Sequence, residues 1–253
     1  MKSAAELFDL SGKVAVVTGG SRGLGREMVL AYAQAGADVM IVSRKLAACE
    51  ELARLVESTT SARAFPYGCH VGHWAELDGL VDAAWEHFGK VDVWVNNAGM
   101  APTYEHITDV SEELFDKTVG VNFKGPFRLS ALVGARMAQG DGGSVINVSS
   151  TGSIRVDPTI IPYAAAKAAL NALTYGYAAT YGPKVRFNVL MSGPFKTDIT
   201  QFWTDETYQA IEERHALSRV GDPEEIIGAA LYLASDASSY TSCATLRVDG
   251  GIP

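Results

Sequence analysis

The chain is predicted to fold as an α/β protein, a parallel sheet with helices on both faces. Three observations predict it. Short β-rich runs alternate with helical patterns along all 253 residues, the arrangement of βαβ units. The first run, Lys13-Val14-Ala15-Val16-Val17-Thr18, is nearly all apolar, as suits a strand buried on both faces. That run passes through a glycine-rich loop, Gly19–Gly25, straight into a helical pattern.

The first helix continues to Ala35, where Gly36-Ala37 stops it, and Asp38–Ser43 is the second strand. A helix over Leu46–Glu57, a weaker strand over Arg63–Tyr67 and a helix over Trp74–Phe88 follow. Val91–Val95 is strand four. Ser111–Met137 reads as one long helical stretch, with Gly120, Gly125 and Pro126 as irregularities. Ser144–Val148 is strand five, Tyr163–Tyr181 an alanine-rich helix, and Val185–Leu190 strand six. Asp222-Pro223-Glu224-Glu225 starts a further helix, with Asp as N-cap, Pro at the first position and Glu at the third. Ala244–Val248 is the last strand. No repeat, low-complexity tract or linker marks a second domain, so residues 1–253 are expected to form one.

Composition narrows the function. The chain is 47% hydrophobic and 20% charged, with a net charge of −8. An acidic chain lacks the footprint for a phosphate backbone, which argues against nucleic acid. No apolar run approaches the ~18 residues of a membrane span, and the first ten residues carry no apolar signal region, so a cytoplasmic location is expected. Cys49, Cys69 and Cys243 are too few and too scattered for a disulfide framework. Cys69, His70 and His73 do not complete a metal site, and none is expected.

The glycine loop points to a nucleotide. Free N–H groups at a helix N-terminus receive phosphate, and glycines let a pyrophosphate approach closely. Thr18-Gly19-x-x-x-Gly23-x-Gly25 differs from the G-x-G-x-x-G spacing, but follows the first strand and opens the first helix. An acid at the end of strand two would select NAD, an arginine NADP. This chain has Ser43-Arg44-Lys45 there, with Arg22 in the loop as a second cation. Arg44 thus points to NADP(H), NAD(H) being the alternative; the competing reading makes Arg44 a solvated surface charge. Tyr163-Ala164-Ala165-Ala166-Lys167 puts a phenol and an ammonium on one helix face. By itself such a pair is either chemistry or an ordinary solvated face.

Asn96-Asn97-Ala98-Gly99, taken with Thr18–Gly25, Asn122, Ser150, Tyr163 and Lys167, resembles the short-chain dehydrogenase/reductase family over almost the whole chain. The resemblance extends through Arg219-Val220-Gly221 and Leu233–Asp236 to Val248-Asp249-Gly250-Gly251. It implies a three-layer, doubly wound Rossmann-like fold of about seven strands, a nicotinamide cofactor and a catalytic set of Asn122, Ser150, Tyr163 and Lys167. Ser149-Ser150-Thr151 offers three hydroxyls; Ser150 stands thirteen residues before Tyr163, the usual family spacing. Tyr163 would be general acid or base, its pKa of ~10 lowered by the charge of Lys167. Lys167 would also bond the nicotinamide ribose, Ser150 would hold the carbonyl oxygen, and Asn122 would kink its helix and hold a relay water.

The implied cofactor residues are Gly19, Ser21, Arg22, Gly23, Leu24 and Gly25 of the loop; Ser43 and Arg44; His70 and Val71; Asn97, Ala98 and Gly99; Tyr163 and Lys167; and Gly193, Pro194 and Thr197. There are three departures. His70 replaces an adenine-contacting aspartate, Ser192-Gly193-Pro194 replaces a Pro-Gly turn, and Ser242-Cys243 replaces Thr-Gly. Residues 193–218 resemble the family's mobile lid. Phe195, Phe202, Trp203 and Tyr208 there either favour an apolar substrate or pack the lid closed. Met100, Pro102, Ile154 and Val156 are expected pocket walls. The resemblance implies a homotetramer through the long helices and the C-terminal segment, and the apolar Leu173, Ala178 and Ala179 suit either an interface or the core.

The activity so implied is reversible interconversion of a ketone or aldehyde with a secondary alcohol. A non-catalytic nucleotide-binding sensor or scaffold would have no need of the Asn-Ser-Tyr-Lys set, and nothing favours a lyase or epimerase.

Overall fold

The computed structural model describes residues 2–198, 200 and 203–252. Its sheet has seven strands: β1 (Val14–Thr18), β2 (Asp38–Ser43), β3 (Ala64–Gly68), β4 (Val93–Asn96), β5 (Gly143–Ser150), β6 (Val185–Ser192) and β7 (Thr245–Val248). They are all parallel, in the order β3-β2-β1-β4-β5-β6-β7. This is the expected doubly wound, Rossmann-like arrangement. The order reverses between β1 and β4, and a crevice opens at such a point beyond the carboxyl ends of the strands.

The helices are α1 (Ala4–Phe8), α2 (Gly23–Gln34), α3 (Leu46–Thr59), α4 (Trp74–Phe88), α5 (Glu112–Val119), α6 (Gly125–Gln139), α7 (Ile161–Tyr181), α8 (Asp205–Arg214) and α9 (Ile227–Ala234). Alternation along the strands separates two cores. Ala15, Val17, Val39 and Ile41 point to the layer holding α2, α3 and α9. Val14, Val16, Met40 and Val42 point to the layer holding α4, α6 and the end of α7. Burial on both faces is why β1 and β2 read as continuous apolar runs. Ala178 belongs to the second core, while Ala179 is exposed.

Two helices escaped the sequence reading. α1 is a five-residue helix closed by a capping box, Ser3 Oγ accepting from Glu6 N and Glu6 accepting from Ser3 N at 2.6 Å. α8 is polar and has no buried residue, so it shows no apolar stripe to detect. The long stretch from Ser111 is α5, a π-helical turn over Gly120–Lys124, and α6. Gly125 is needed at that break, because a Cβ there would lie 2.1 Å from Val71 O. The segment after Asp222 begins as a 3-10 turn, Pro223–Ile226, before α9. Ser242-Cys243 now has a physical reading: Cys243 sits at φ +60, backbone that favours the glycine of the related pattern.

A buried polar ladder fixes α7 against the sheet. Trp94 Nε1 donates to Asn96 Oδ1 at 2.9 Å, and Asn96 Nδ2 donates to Asn147 Oδ1 at 2.8 Å and to Ser130 Oγ at 3.1 Å. Asn147 Nδ2 then donates to Thr174 Oγ1 at 2.8 Å. Each member is satisfied, so the ladder specifies how β4, β5, α6 and α7 sit together without leaving a buried polar group unpaired.

Candidate active site

The glycine loop is closed by close approach. A Cβ on Gly25 would lie 2.2 Å from Gly19 O, and one on Gly19 would lie 2.8 Å from Ala98 Cα. Gly23 opens α2 at φ +52. Asn97 staples the loop to the end of β4: its Nδ2 donates to Thr18 O at 2.9 Å and Gly19 O at 3.1 Å, while its main-chain N donates to Thr18 Oγ1 at 3.0 Å. Ala98 N donates to the same hydroxyl at 3.2 Å. The first turn of α2 has no acid and no side-chain cap on its N–H groups. The glycine cradle and the uncapped helix end fit a pyrophosphate, while Leu24 packs against the first core and Ser21 is half-buried.

At the β2 end Arg44 is exposed, as expected of a cation offered to a ligand and equally of a surface charge. Ser43 Oγ lies 3.1 Å from Cys49 Sγ and donates to Lys45 O at 3.2 Å. His70 follows β3; burial, with the neighbouring His73 and Arg44 charges adding to it, holds its imidazole below the ordinary range. Its Nδ1 accepts from Gly72 N at 3.1 Å, and its ring stacks on His73 at 4.1 Å. His73 itself bonds Glu76 at 2.7 Å. Among the described residues no three His, Cys, Asp or Glu side chains gather to hold a metal ion. Val71 lies in the second core.

Across the crevice, Ser150 ends β5 and Tyr163 and Lys167 stand in the first two turns of α7. The Ser150 hydroxyl and the Tyr163 ring stand side by side, both against Gly152, where a Cβ would lie 3.3 Å from Ser150 Oγ and 3.7 Å from Tyr163 Cε1. Ser149 points away and is buried, its Oγ 3.5 Å from Lys167 O, and Thr151 is buried too. Of the three hydroxyls, Ser150 is the one that meets Tyr163. Lys167 is 3% exposed; its Nζ donates to Val148 O at 2.8 Å and lies 5.9 Å from the Tyr163 ring centroid. Burial brings the Lys167 ammonium down to about 8. Burial also lifts the Tyr163 phenol above its ordinary value, the Ser150 contact opposing it. The expected lowering by Lys167 is therefore corrected: burial raises the phenol, and this favours its neutral form at pH 7.

Asn122 lies fully buried in the π-helical turn. Its Nδ2 donates to Met100 O and Thr118 O, both at 2.8 Å, and its Oδ1 accepts from Met100 N at 3.3 Å. It thus ties the loop after β4 to the helix turn. Gly99 bridges the two halves: a Cβ there would lie 3.1 Å from Asn122 Oδ1 and 3.7 Å from Lys167 Nζ.

The described residues of 193–218 follow β6 and include α8. Gly193 packs on the C-terminal strand, where a Cβ would lie 2.6 Å from Asp249 Cα, and Pro194 O accepts from Gly221 N at 3.1 Å. The Thr197 side chain is 3.5 Å from where a Cβ on Gly23 would be, over the start of α2. Arg22 reaches Asp198 at 3.4 Å. Phe195 does not face the cleft; it is buried in the first core against Gly221. Trp203 and Tyr208 pack edge to face at 5.8 Å, and Phe202 lies outside the described residues. Ala216 N and Leu217 N donate to Gly251 O and Gly250 O, anchoring the segment's far end. Met100 and Pro102 are half-buried, Ile154 and Val156 exposed.

Tyr104 was not foreseen: its hydroxyl accepts from Ile161 N at 2.9 Å and caps the helix that carries Tyr163. A lone loop tyrosine gives no sequence signal of that role. A cavity of about 270 Å³ lies at the other end of the sheet, among Asp9, Lys13, Asp92, Asp141, Lys184 and Arg186. Its charges are mixed and the Arg186 guanidinium is spent on Ser238 and main-chain carbonyls, so the chemistry lies elsewhere.

With this geometry in view, the comparisons are decisive. The family model described as enoyl-(acyl carrier protein) reductase matches residues 19–253. A short chain dehydrogenase/reductase of Aspergillus oryzae, astE, is 36% identical over 100% of this chain and 99% of its own length. The chain belongs to the short-chain dehydrogenase/reductase family. A gluconate 5-dehydrogenase from Burkholderia cenocepacia, solved with NADP and tartrate, superposes with a TM-score of 0.94 at 30% identity, covering 99% of this chain and 98% of that one. A 7α-hydroxysteroid dehydrogenase, solved with NADH and 7-oxo glycochenodeoxycholic acid, gives 0.93 at 31%, with 99% and 98% covered. This short-chain dehydrogenase/reductase is an oxidoreductase acting on CH–OH groups with a nicotinamide cofactor. Among its described residues no helix is long and apolar enough to cross a membrane.

Proposed function

We propose that the protein is an NADPH-preferring carbonyl reductase, working reversibly as an alcohol dehydrogenase. The observation that carries it is the meeting of Ser150, Tyr163 and Lys167 beside the glycine loop. When bound, the cofactor supplies the hydride. Ser150 holds and polarises the carbonyl oxygen, and Tyr163, protonated at neutral pH, gives the proton to the forming alkoxide. The Lys167 ammonium uses one of its three N–H donors on Val148 O and offers the others to the ribose. Asn122 holds the loop after β4 and serves the proton relay.

Gly19, Gly23 and Gly25 cradle the pyrophosphate. Ser43, Arg44 and His70 face the adenosine end, with Arg44 on the 2′-phosphate. Asn97, Ala98 and Gly99 line the adenosine side, and Gly193, Pro194 and Thr197 the nicotinamide side. Arg44 as a fork to phosphate favours NADPH by roughly ten- to a hundredfold. NAD(H) is the second reading, because Arg22 is already engaged by Asp198 and leaves Arg44 to discriminate alone.

Residues 193–218 act as the lid. Exposed Ile154, Val156 and Leu217 support a carbonyl substrate with an apolar part. Exposed Trp74, Phe115 and Phe127, near the long helices, support a homotetramer, read out by light scattering. Unpaired Cys49, Cys69 and Cys243 suit a reducing cytoplasm.

The test is consumption of NADPH and NADH against ketones, aldehydes, steroids, sugars and acyl thioesters. Turnover of a carbonyl with NADPH ahead of NADH is expected; no turnover of any carbonyl with either overturns the reading.

A further inference from the structure

α7 carries a third polar side chain on the stripe of Tyr163 and Lys167. Residues four apart share a helix face, and the next along is Asn171. Its Nδ2 donates to Ser153 Oγ at 2.9 Å. The Ser153 hydroxyl donates in turn to the main-chain carbonyl of Ser150 at 2.6 Å. The direction of this relay follows from proton count. A hydroxyl has one proton, Ser153 spends it on Ser150, and so Asn171 must present its N–H₂. The amide oxygen of Asn171 then faces away. It is buried and has no hydrogen-bond partner among the described residues.

An unmatched buried acceptor is a net cost to stability that an apolar side chain of similar shape would not carry. Asn171 is therefore a poor choice for folding alone. Its gain lies in what it holds. Ser150 starts the 3-10 turn Thr151–Ser153, and its Oγ accepts from Gly152 N at 3.0 Å. Ile154 N and Arg155 N close the turn on Thr151 O. Those bonds shape the turn but do not set where it stands against α7. Among the described residues, Asn171 to Ser153 is the side-chain hydrogen bond that joins this turn to α7.

We propose that Asn171, acting through Ser153, is a positioning residue: it locks the Ser150 turn onto the helix that carries Tyr163 and Lys167, and so sets the gap between the Ser150 and Tyr163 hydroxyls. The inference rests on the reading of Ser150 as the group that holds the substrate oxygen. Small displacements there matter, because both hydroxyls must address one oxygen atom.

The experiment compares Asn171→Leu, Ser153→Ala, Ser153→Thr and the double variant N171L/S153A. Four quantities are measured: kcat on the best carbonyl of the panel, NADPH affinity by fluorescence, Tm, and the Ser150 position by crystallography. Asn171→Leu and Ser153→Ala are each expected to lower kcat by roughly tenfold or more, while NADPH affinity changes less than about threefold. Tm of N171L stays level or rises. Ser153→Thr keeps the hydroxyl and wild-type kcat, and the double variant is no worse than either single. Crystals of N171L show Ser150 Oγ moved from Tyr163. Should N171L fail to fold, S153A carries the same measurements.

An unchanged kcat, an unmoved Ser150, losses that multiply in the double variant, or a fall in Tm that parallels the fall in kcat overturns the proposal. Wild-type protein that reduces no carbonyl overturns the functional reading instead, and the crystallographic arm still decides this one.

Discussion

On the β5–α7 side of the cleft, the polar groups around Tyr163 and Lys167 are held by hydrogen bonds kept out of water. Lys167 reaches Val148 O, Asn147 reaches Thr174, and Asn122 bonds both Met100 and Thr118. On the opposite side, the described part of residues 193–218 is tied by main-chain bonds at its two ends, Gly221 N to Pro194 O and Leu217 N to Gly250 O, with exposed ion pairs beside them. Arg22–Asp198 spans 3.4 Å, Lys196–Asp222 2.9 Å and, just beyond, Arg219–Glu225 2.5 Å. Buried, fully satisfied bonds fix geometry, whereas exposed pairs contribute about 0–1 kcal/mol each and weaken with salt. The groups around Tyr163 and Lys167 are thus pre-set by the fold, while the ion pairs on the opposite side break at little energetic cost. Such a division suits an enzyme that must keep one chemistry constant while admitting and releasing a dinucleotide and a substrate.

The largest expected effect lies on the fixed side. Tyr163→Phe removes the proton donor and leaves the ring. Turnover is expected to fall by about 10²–10⁴ or more, with NADPH affinity preserved. Carbonyl reduction at the wild-type rate would break the comparison, since the buried side would then hold nothing essential. Lys167→Met comes next, with turnover falling steeply at neutral pH. Its sign on stability is opposite to that of a surface lysine. Burial takes the ammonium from an ordinary 10.5 to about 8, so the folded state holds fewer protons than the unfolded state between those values. The burial penalty is complete below pH 8 and is relieved as the pH rises to 10.5. Lys167→Met is therefore expected to be more stable than wild type at pH 7 by up to the order of 3 kcal/mol, the gap closing by pH 10.5. Urea denaturation at pH 7, 9 and 10.5 measures it; a gap that widens with pH contradicts the assignment.

Arg44→Ala moves to the cofactor's far end. NADPH is expected to bind roughly ten- to a hundredfold more weakly, with NADH nearly unchanged. Titration of both cofactors by fluorescence checks this, and equal weakening would remove Arg44 from the phosphate.

Much of this was legible from residue order, and the reasons are specific. β1 and β2 are buried on both faces, so their apolar runs could be nothing else. Gly19 and Gly25 stand where backbone approaches backbone and Gly23 at a positive φ, which local sequence records directly. Ser150 was separable from Ser149 by spacing, and the geometry gives the reason: successive strand residues face opposite ways. What stayed hidden depends on packing. The rise in the Tyr163 pKa comes from burial that no motif displays. α8 is polar on all sides, and Phe195 turns into the core rather than the cleft because Gly221 leaves room for its ring. The π-helical turn was visible only as an irregularity at Gly120, Gly125 and Pro126, and the burial of Asn122 within it depends on packing that no local pattern displays.

The smallest expected effect tests the exposed wall. Asp198 draws Arg22 from the glycine loop towards residues 193–218, and a phosphate arriving at that loop competes for the same guanidinium. Asp198→Asn ends the competition. Because the pair is exposed and 3.4 Å apart, its release is expected to tighten NADPH binding by no more than about fivefold, with Tm nearly unchanged. The gain shrinks as salt is raised from ~0.05 to ~0.5 M, because screening weakens the pair in the wild type as well. Weaker NADPH binding in the variant would mean that Asp198 helps to hold the cofactor, and the two walls would differ less than their contacts suggest. A gain independent of salt would point instead to a change in how residues 193–218 fold, measurable as a shift in hydrogen exchange over α8.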